Sequence, residues 1–237
     1  MVAGRRGVVF DLDDTLYLER DYVRSGYHAV ADAVAAAADE MPATLFEFMW
    51  RRFASGERVR TFNALLTRFP LAARRWSVAA LVDLYRQHVP SIKLGDDAQM
   101  LLDRLVSEGT FLGIVSDGFL ATQRAKVEAL DLDRRFDHIV LTDQWGNIDW
   151  KPGLRGFRAI ENASGLARQS LTYVGDNPAK DFIGPNHLGW NTVRLRVQGQ
   201  LHAEVEDGHA AAAASMTVRS LDSLCDLFNV SPGASAR

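Results

Sequence analysis

The feature that most constrains this chain is a short apolar run that stops abruptly at two aspartates. Residues 8–15 read Val-Val-Phe-Asp-Leu-Asp-Asp-Thr. Residues i and i+2 of a strand point the same way. On that spacing, Asp11 and Asp13 crowd together at the tip of a buried strand. Two carboxylates about 4 Å apart at an effective dielectric near 20 repel by roughly 4 kcal/mol. A cation or a proton-transfer task offsets such a penalty. Taken alone, the octet leaves a reactive site and an idle, solvated acidic turn equally open.

Three later segments repeat the pattern of a buried strand ending in polar residues. Phe111–Val115 leads into Ser116-Asp117-Gly118, and Leu171–Val174 into Gly175-Asp176-Asn177-Pro178-Ala179-Lys180-Asp181. Lys151 stands in Trp150-Lys151-Pro152-Gly153, ahead of a helical pattern. Ligands of open parallel α/β sheets bind at the carboxyl ends of strands. Carboxylates, a hydroxyl and an ammonium gathered there suit phosphoryl chemistry with a divalent metal.

These four blocks, in this order, resemble the motifs of the haloacid dehalogenase (HAD)-like hydrolase superfamily. Asp11-Leu12-Asp13-Asp14-Thr15 is similar to the first motif and Ser116 to the second. Lys151 matches the third, and Gly175-Asp176 with Asp181 the fourth. The resemblance spans about Val8 to Leu195. Asp14 stands where a glycine is common, and Asn177-Pro178 opens the fourth loop; both bear on subfamily more than on activity.

The resemblance implies a Mg²⁺-dependent phosphatase acting on a small phosphate monoester through an aspartyl-phosphate. Asp11 would be the nucleophile, and Asp13 the acid and base. Ser116, with the backbone N–H groups of Asp117 and Gly118 at a helix start, would hold the phosphoryl oxygens. Lys151 would neutralise that group. Mg²⁺ would sit on Asp11, Asp176 and the backbone carbonyl of Asp13, with Asp181 and Asn177 behind them. A dehalogenase of the same superfamily lacks the second aspartate, so Asp13 argues against one. A phosphomutase shares all four blocks, and a non-catalytic binding protein would not need them.

The rest of the sequence supplies the frame. From Asp21 to Pro90 the apolar residues recur at helical spacing, as in Val23, Tyr27, Val30 and Val34. Further stripes at Leu45–Phe53, Phe62–Phe69 and Val78–Val89 predict a four-helix block. After Pro90, helix and strand alternate: helices over Asp96–Glu108, Phe119–Leu130, Leu154–Ser164 and Pro178–Leu188, strands at Ile139–Leu141 and Thr192–Leu195. This order predicts an α/β fold, a Rossmann-like parallel sheet with helices on both faces. Residues 198–217 read as loop.

The expected HAD-like core domain is 1–18 with 91–230, the helical cap domain 19–90, and 231–237 a flexible tail. An inserted cap resembles the superfamily's specificity element, with Tyr17, Arg20, Tyr22, Arg24, Arg58 and Arg60 as candidates to read the substrate. A net charge of 27 − 30 = −3 gives no bulk attraction to nucleic acid or to an anionic membrane. Cys225 is the only cysteine, so neither an internal disulfide nor a cysteine zinc cluster is available. His138, His187 and His202 show no metal-ligand spacing. The apolar run after Arg5-Arg6 is too short for a signal peptide, and no segment approaches a membrane span. A cytoplasmic protein of open oligomeric state is the expectation.

Overall fold

In the computed structural model, residues 5–206 and 208–228 are described. The expected tail at 231–237 lies outside them. The described chain divides into two compact units, one running to Arg20 and again from Lys93, the other Asp21–Ile92.

The first unit is built on a parallel sheet of six strands among the described residues. They are β1 (Gly7–Phe10), β2 (Phe111–Ser116), β3 (His138–Leu141), β4 (Leu171–Gly175), β5 (Asn191–Leu195) and β6 (Met216–Val218). Their spatial order is β3-β2-β1-β4-β5-β6. The strand that leads to Asp11 is therefore interior, paired with β2 on one side and β4 on the other. Phe10 stands level with Ile114 and Val174, so the polar residues after each strand emerge together. The order reverses at β1, which makes this edge the topological switch point.

The helices, numbered in chain order, are α1 (Glu19–Ala38), α2 (Pro42–Ala54), α3 (Thr61–Arg68), α4 (Val78–Gln87), α5 (Asp96–Ser107), α6 (Leu120–Ala129), α7 (Arg155–Ser164), α8 (Ile183–Leu188) and α9 (Leu221–Leu227). Helix α7 packs on β2 and β3, α8 on β5, and α5 on β2 and α9. Val9, Val115, Val140, Phe157, Ile160 and Tyr173 are all buried in one cluster of this core. Phe157 meets Tyr173 edge-on at 5.1 Å and Trp190 at 5.7 Å.

The second unit is helical, as its apolar stripes predict. Val30, Leu45, Met49, Leu65 and Leu81 are its buried centre. Ser77 caps α4 by accepting the amide of Ala80 at 3.1 Å. No helix of the described residues is long and apolar enough to cross a membrane.

Three local expectations differ from the structure. The segment read as loop contains β6, whose three residues are too few to show an alternation. Pro178 does not begin a helix; α8 starts at Ile183. The loop between β4 and α8 is tied by side chains: Asp181 accepts the amides of Asp176 and Asn177, and Asn177 that of Ala179. Asp117 and Gly118 likewise precede α6, which starts at Leu120.

Phe157→Ala should destabilise the protein by about 3–5 kcal/mol, because it empties a fully buried aromatic site between two other rings. Chemical denaturation monitored by circular dichroism would measure it.

Candidate active site

The carboxyl edge of the sheet holds the acidic residues in two separately neutralised groups. Asp11 continues the line of β1, its amide bonded to the carbonyl of Val174 at 2.8 Å. Its carboxylate is buried and meets Lys151 Nζ at 2.8 Å. The strand itself ends at Phe10, so its alternation does not extend to Asp13. The Asp13 carboxylate is instead gripped by Lys126 Nζ at 2.7 and 2.8 Å and by Gln123 Nε2 at 2.9 Å. The Tyr17 hydroxyl donates to it as well. The clash expected of two carboxylates on one strand face is thus relieved, each having its own lysine.

Lys151 is the hub. Its side chain is fully buried, and Nζ also donates to Asp181 Oδ1 at 2.7 Å and to the Tyr173 hydroxyl at 3.0 Å. The Tyr173 hydroxyl in turn donates a hydrogen bond to the carbonyl of Val115 at 3.0 Å. Burial opposes the charge on Lys151, but Asp11 and Asp181 more than compensate and hold its pKa above the ordinary lysine range. Asp181 is not a helix-surface carboxylate. Its second oxygen accepts the amides of Asp176 and Asn177 at 3.2 and 2.8 Å, which shapes the fourth loop. Gly175 is required there, since a Cβ would lie 2.6 Å from that oxygen.

The second block is pinned the same way. Ser116 is buried, and its Oγ accepts Gln123 Nε2 at 3.1 Å. The Asp117 carboxylate accepts the Thr142 hydroxyl at 2.7 Å and the Lys151 amide at 3.1 and 3.2 Å. It fastens the Lys151 loop to the end of β2. Gly118 has φ +125°, and a Cβ on it would meet the Gln123 amide at 2.9 Å. Asp14 has φ +55°, the left-handed region that favours glycine and is tolerated by aspartate. Its carboxylate accepts the amides of Glu19 and Leu201 at 2.8 and 2.6 Å.

Asp11, Asp176 and Asp181 present carboxylate oxygens all within 4.8 Å of one another. Asp176 Oδ2 is buried and has no protein hydrogen-bond partner. Burial, then Asp181 and Asp11, push the Asp176 pKa up to about 9. Burial also raises Asp11, against the pull of Lys151 and Lys180. Three carboxylates within reach of one another, one with an orphaned oxygen, suit a small hard cation. The Asp13 carboxylate lies outside this trio.

Sequence reasoning missed four contributors. Lys126 and Gln123 sit one turn apart on α6, and Tyr173 lies within β4. Lys180 Nζ stands 3.7 Å from Asp11 Oδ2. The sequence hint for the first two is slight: α6 lacks an apolar stripe, and only the fold turns Thr122, Gln123 and Lys126 inward. Tyr17, a candidate to read the substrate, donates its hydroxyl to Asp13.

An interior β1 at the switch point, with this edge of carboxylates and lysines, defines a HAD-type hydrolase. The family model described as "Haloacid dehalogenase-like hydrolase" matches residues 8–195, and the chain belongs to that family. It is similar to the glyceraldehyde 3-phosphate phosphatase of Methanopyrus kandleri, 29% identical over 81% of this chain and 84% of the relative. It is also similar to (S)-2-haloacid dehalogenase 4A of Burkholderia cepacia, 26% identical over 84% and 86%. Among solved structures, the magnesium-bound HAD-hydrolase YfnB of Bacillus subtilis shares the fold, with TM-score 0.65 and 20% identity over 95% of this chain and 99% of that one.

Asp181→Asn should destabilise the protein by about 3–5 kcal/mol at pH 7, the usual effect of breaking a buried ion pair. Burial opposes ionisation of Asp181, but Lys151 and Lys180 outweigh it and lower its pKa. Its stabilisation is therefore complete above the unfolded carboxyl value of about 3.9 and is lost as pH falls through the lower folded value. The gap between variant and wild type, read from urea melts, should narrow only in strong acid.

Proposed function

We propose that the protein is a Mg²⁺-dependent phosphatase of small sugar phosphates, working through an aspartyl-phosphate on Asp11. The observation that carries this reading is the pair Asp11 and Asp13, each with its own buried lysine. A carbon–halogen substrate has no use for a second, separately held carboxyl group. A phosphate ester has, because its leaving oxygen needs a proton. The name of the Methanopyrus relative favours a triose phosphate among sugar phosphates.

The steps follow from the side chains. Asp11 attacks phosphorus in line, and Asp13 gives a proton to the departing oxygen; burial opposes its charge, but Lys126, Gln123 and Tyr17 outweigh it and lower its pKa, so Asp13 must take up that proton before the step. Asp13 then takes a proton from the water that hydrolyses the aspartyl-phosphate. Ser116 Oγ and the amides of Asp117 and Gly118 hold phosphoryl oxygens, and Lys151 keeps Asp11 aimed while offsetting charge. Asp11, Asp176 and the carbonyl of Asp13 would hold Mg²⁺, with Asp181 and Asn177 fixing the fourth loop. The bound ion supplies the positive charge that a phosphate dianion needs beside two carboxylates. We assign the helical unit to substrate choice, as the inserted cap.

Asp11→Asn should lower turnover by at least about a thousandfold, on the scale of removing other enzymatic nucleophiles, in a variant that circular dichroism shows to be folded. A screen of phosphorylated sugars with Mg²⁺ supplies the substrate for this assay. Substantial residual turnover in Asp11→Asn would displace the nucleophile.

Because Asp176 must release a proton to bind the cation, Mg²⁺ should bind more tightly as pH rises toward 9. Without the ion, the raised pKa means that the native state holds this proton while the unfolded state does not. Its contribution to stability therefore falls from about pH 4 to 9. The rise in melting temperature on adding Mg²⁺ should be larger at pH 8 than at pH 6. Equal rises would remove Asp176 from the metal site.

A further inference from the structure

We infer that Lys126 and Gln123 are positioning residues for Asp13, and that they make this enzyme's departing-group protonation depend on helix α6. The inference rests on the phosphatase reading and deepens it.

Lys126 is buried, with 4% of its surface exposed, although it lies on a helix where lysine ordinarily reaches solvent. Its ammonium bridges both oxygens of the Asp13 carboxylate at 2.7 and 2.8 Å. One turn earlier, Gln123 is 2% exposed, and its amide nitrogen spans Asp13 Oδ2 at 2.9 Å and Ser116 Oγ at 3.1 Å. The Tyr17 hydroxyl closes the third side. A carboxylate with donors on three sides has little rotational freedom. The group set to face the departing oxygen is thus aimed by α6, and Gln123 links its position to that of the phosphoryl-binding serine.

The chemistry gives Lys126 a further part. As the bond from phosphorus to the departing oxygen breaks and the bond to Asp11 forms, the proton of Asp13 moves to that oxygen. The carboxylate left behind is the species that Lys126 pairs with. Losing Lys126 should therefore hurt substrates in proportion to how much their departing group needs a proton.

The test uses aryl phosphates, which share the phosphoryl group and differ in the departing phenol. The measurement is kcat/KM, which reports the first transfer. In Lys126→Met, phenyl phosphate should lose about a hundredfold or more, within the range of general acid catalysis, and p-nitrophenyl phosphate less than about threefold. Lys126→Arg should recover part of the phenyl phosphate rate, and Gln123→Leu should show the same bias to a smaller degree. Thermal melts confirm that each variant is folded. If Lys126→Met does not fold, Gln123→Leu and Lys126→Arg carry the comparison. Equal losses on the two esters would overturn the inference and leave Lys126 a fold element. Absence of Asp11-dependent turnover by wild type of both aryl esters and of every sugar phosphate in the Mg²⁺ screen would overturn the phosphatase reading itself, and this role with it.

Discussion

A single buried ammonium organises the reactive edge of this protein. Lys151 Nζ is shared between Asp11 at 2.8 Å and Asp181 at 2.7 Å, with no exposure of its side chain. Three segments far apart in sequence must converge for that geometry to exist: the end of β1, the loop before α7 and the loop after β4. An isolated charge in that position would be prohibitively costly to desolvate, so the three segments fold around it together or not at all. Asp117 bonds the Lys151 amide, and Tyr173 the ammonium, so backbone and side chain are both fixed.

The same principle resolves the crowding of carboxylates that the first motif announces. Asp11 and Asp13 would repel on one strand face, and the chain separates them by ending β1 at Phe10. Each then meets its own lysine, one from the loop before α7 and one from α6. Asp176 is left without a donor on one oxygen. Beside the satisfied Asp11, Asp13 and Asp181, the edge thus holds one carboxylate that is not, which is the asymmetry a cation site needs.

The core strands and most helices were legible because their apolar periods are unbroken. Phe111–Val115 and Leu171–Val174 are continuous runs flanked by turn residues, and the stripes of α1 to α4 follow a 3.6-residue spacing. Asp11, Ser116 and Asp176 were legible because each follows such a run, and Lys151 because it matches the third motif. What escaped was tertiary in origin. A lysine and a glutamine on a helix read as solvated until the fold turns them inward, as at Lys126 and Gln123. The helix expected from Pro178 starts only at Ile183, after a loop that the Asp181 and Asn177 side chains tie together. Three residues of β6 carry too little pattern to be seen at all.

The interior place of β1 has a dynamic consequence. Gly7 to Phe10 are paired on both sides, and the Asp11 amide is itself bonded to Val174. Freeing that backbone requires parting β2 or β4 from the centre of the sheet, an opening close in free energy to unfolding the unit as a whole. Edge elements such as β6 can fray without disturbing it. The Asp11 backbone thus belongs to the slowest-exchanging part of the unit, and any motion at this edge must come from the elements around Asp11 and not from its own strand.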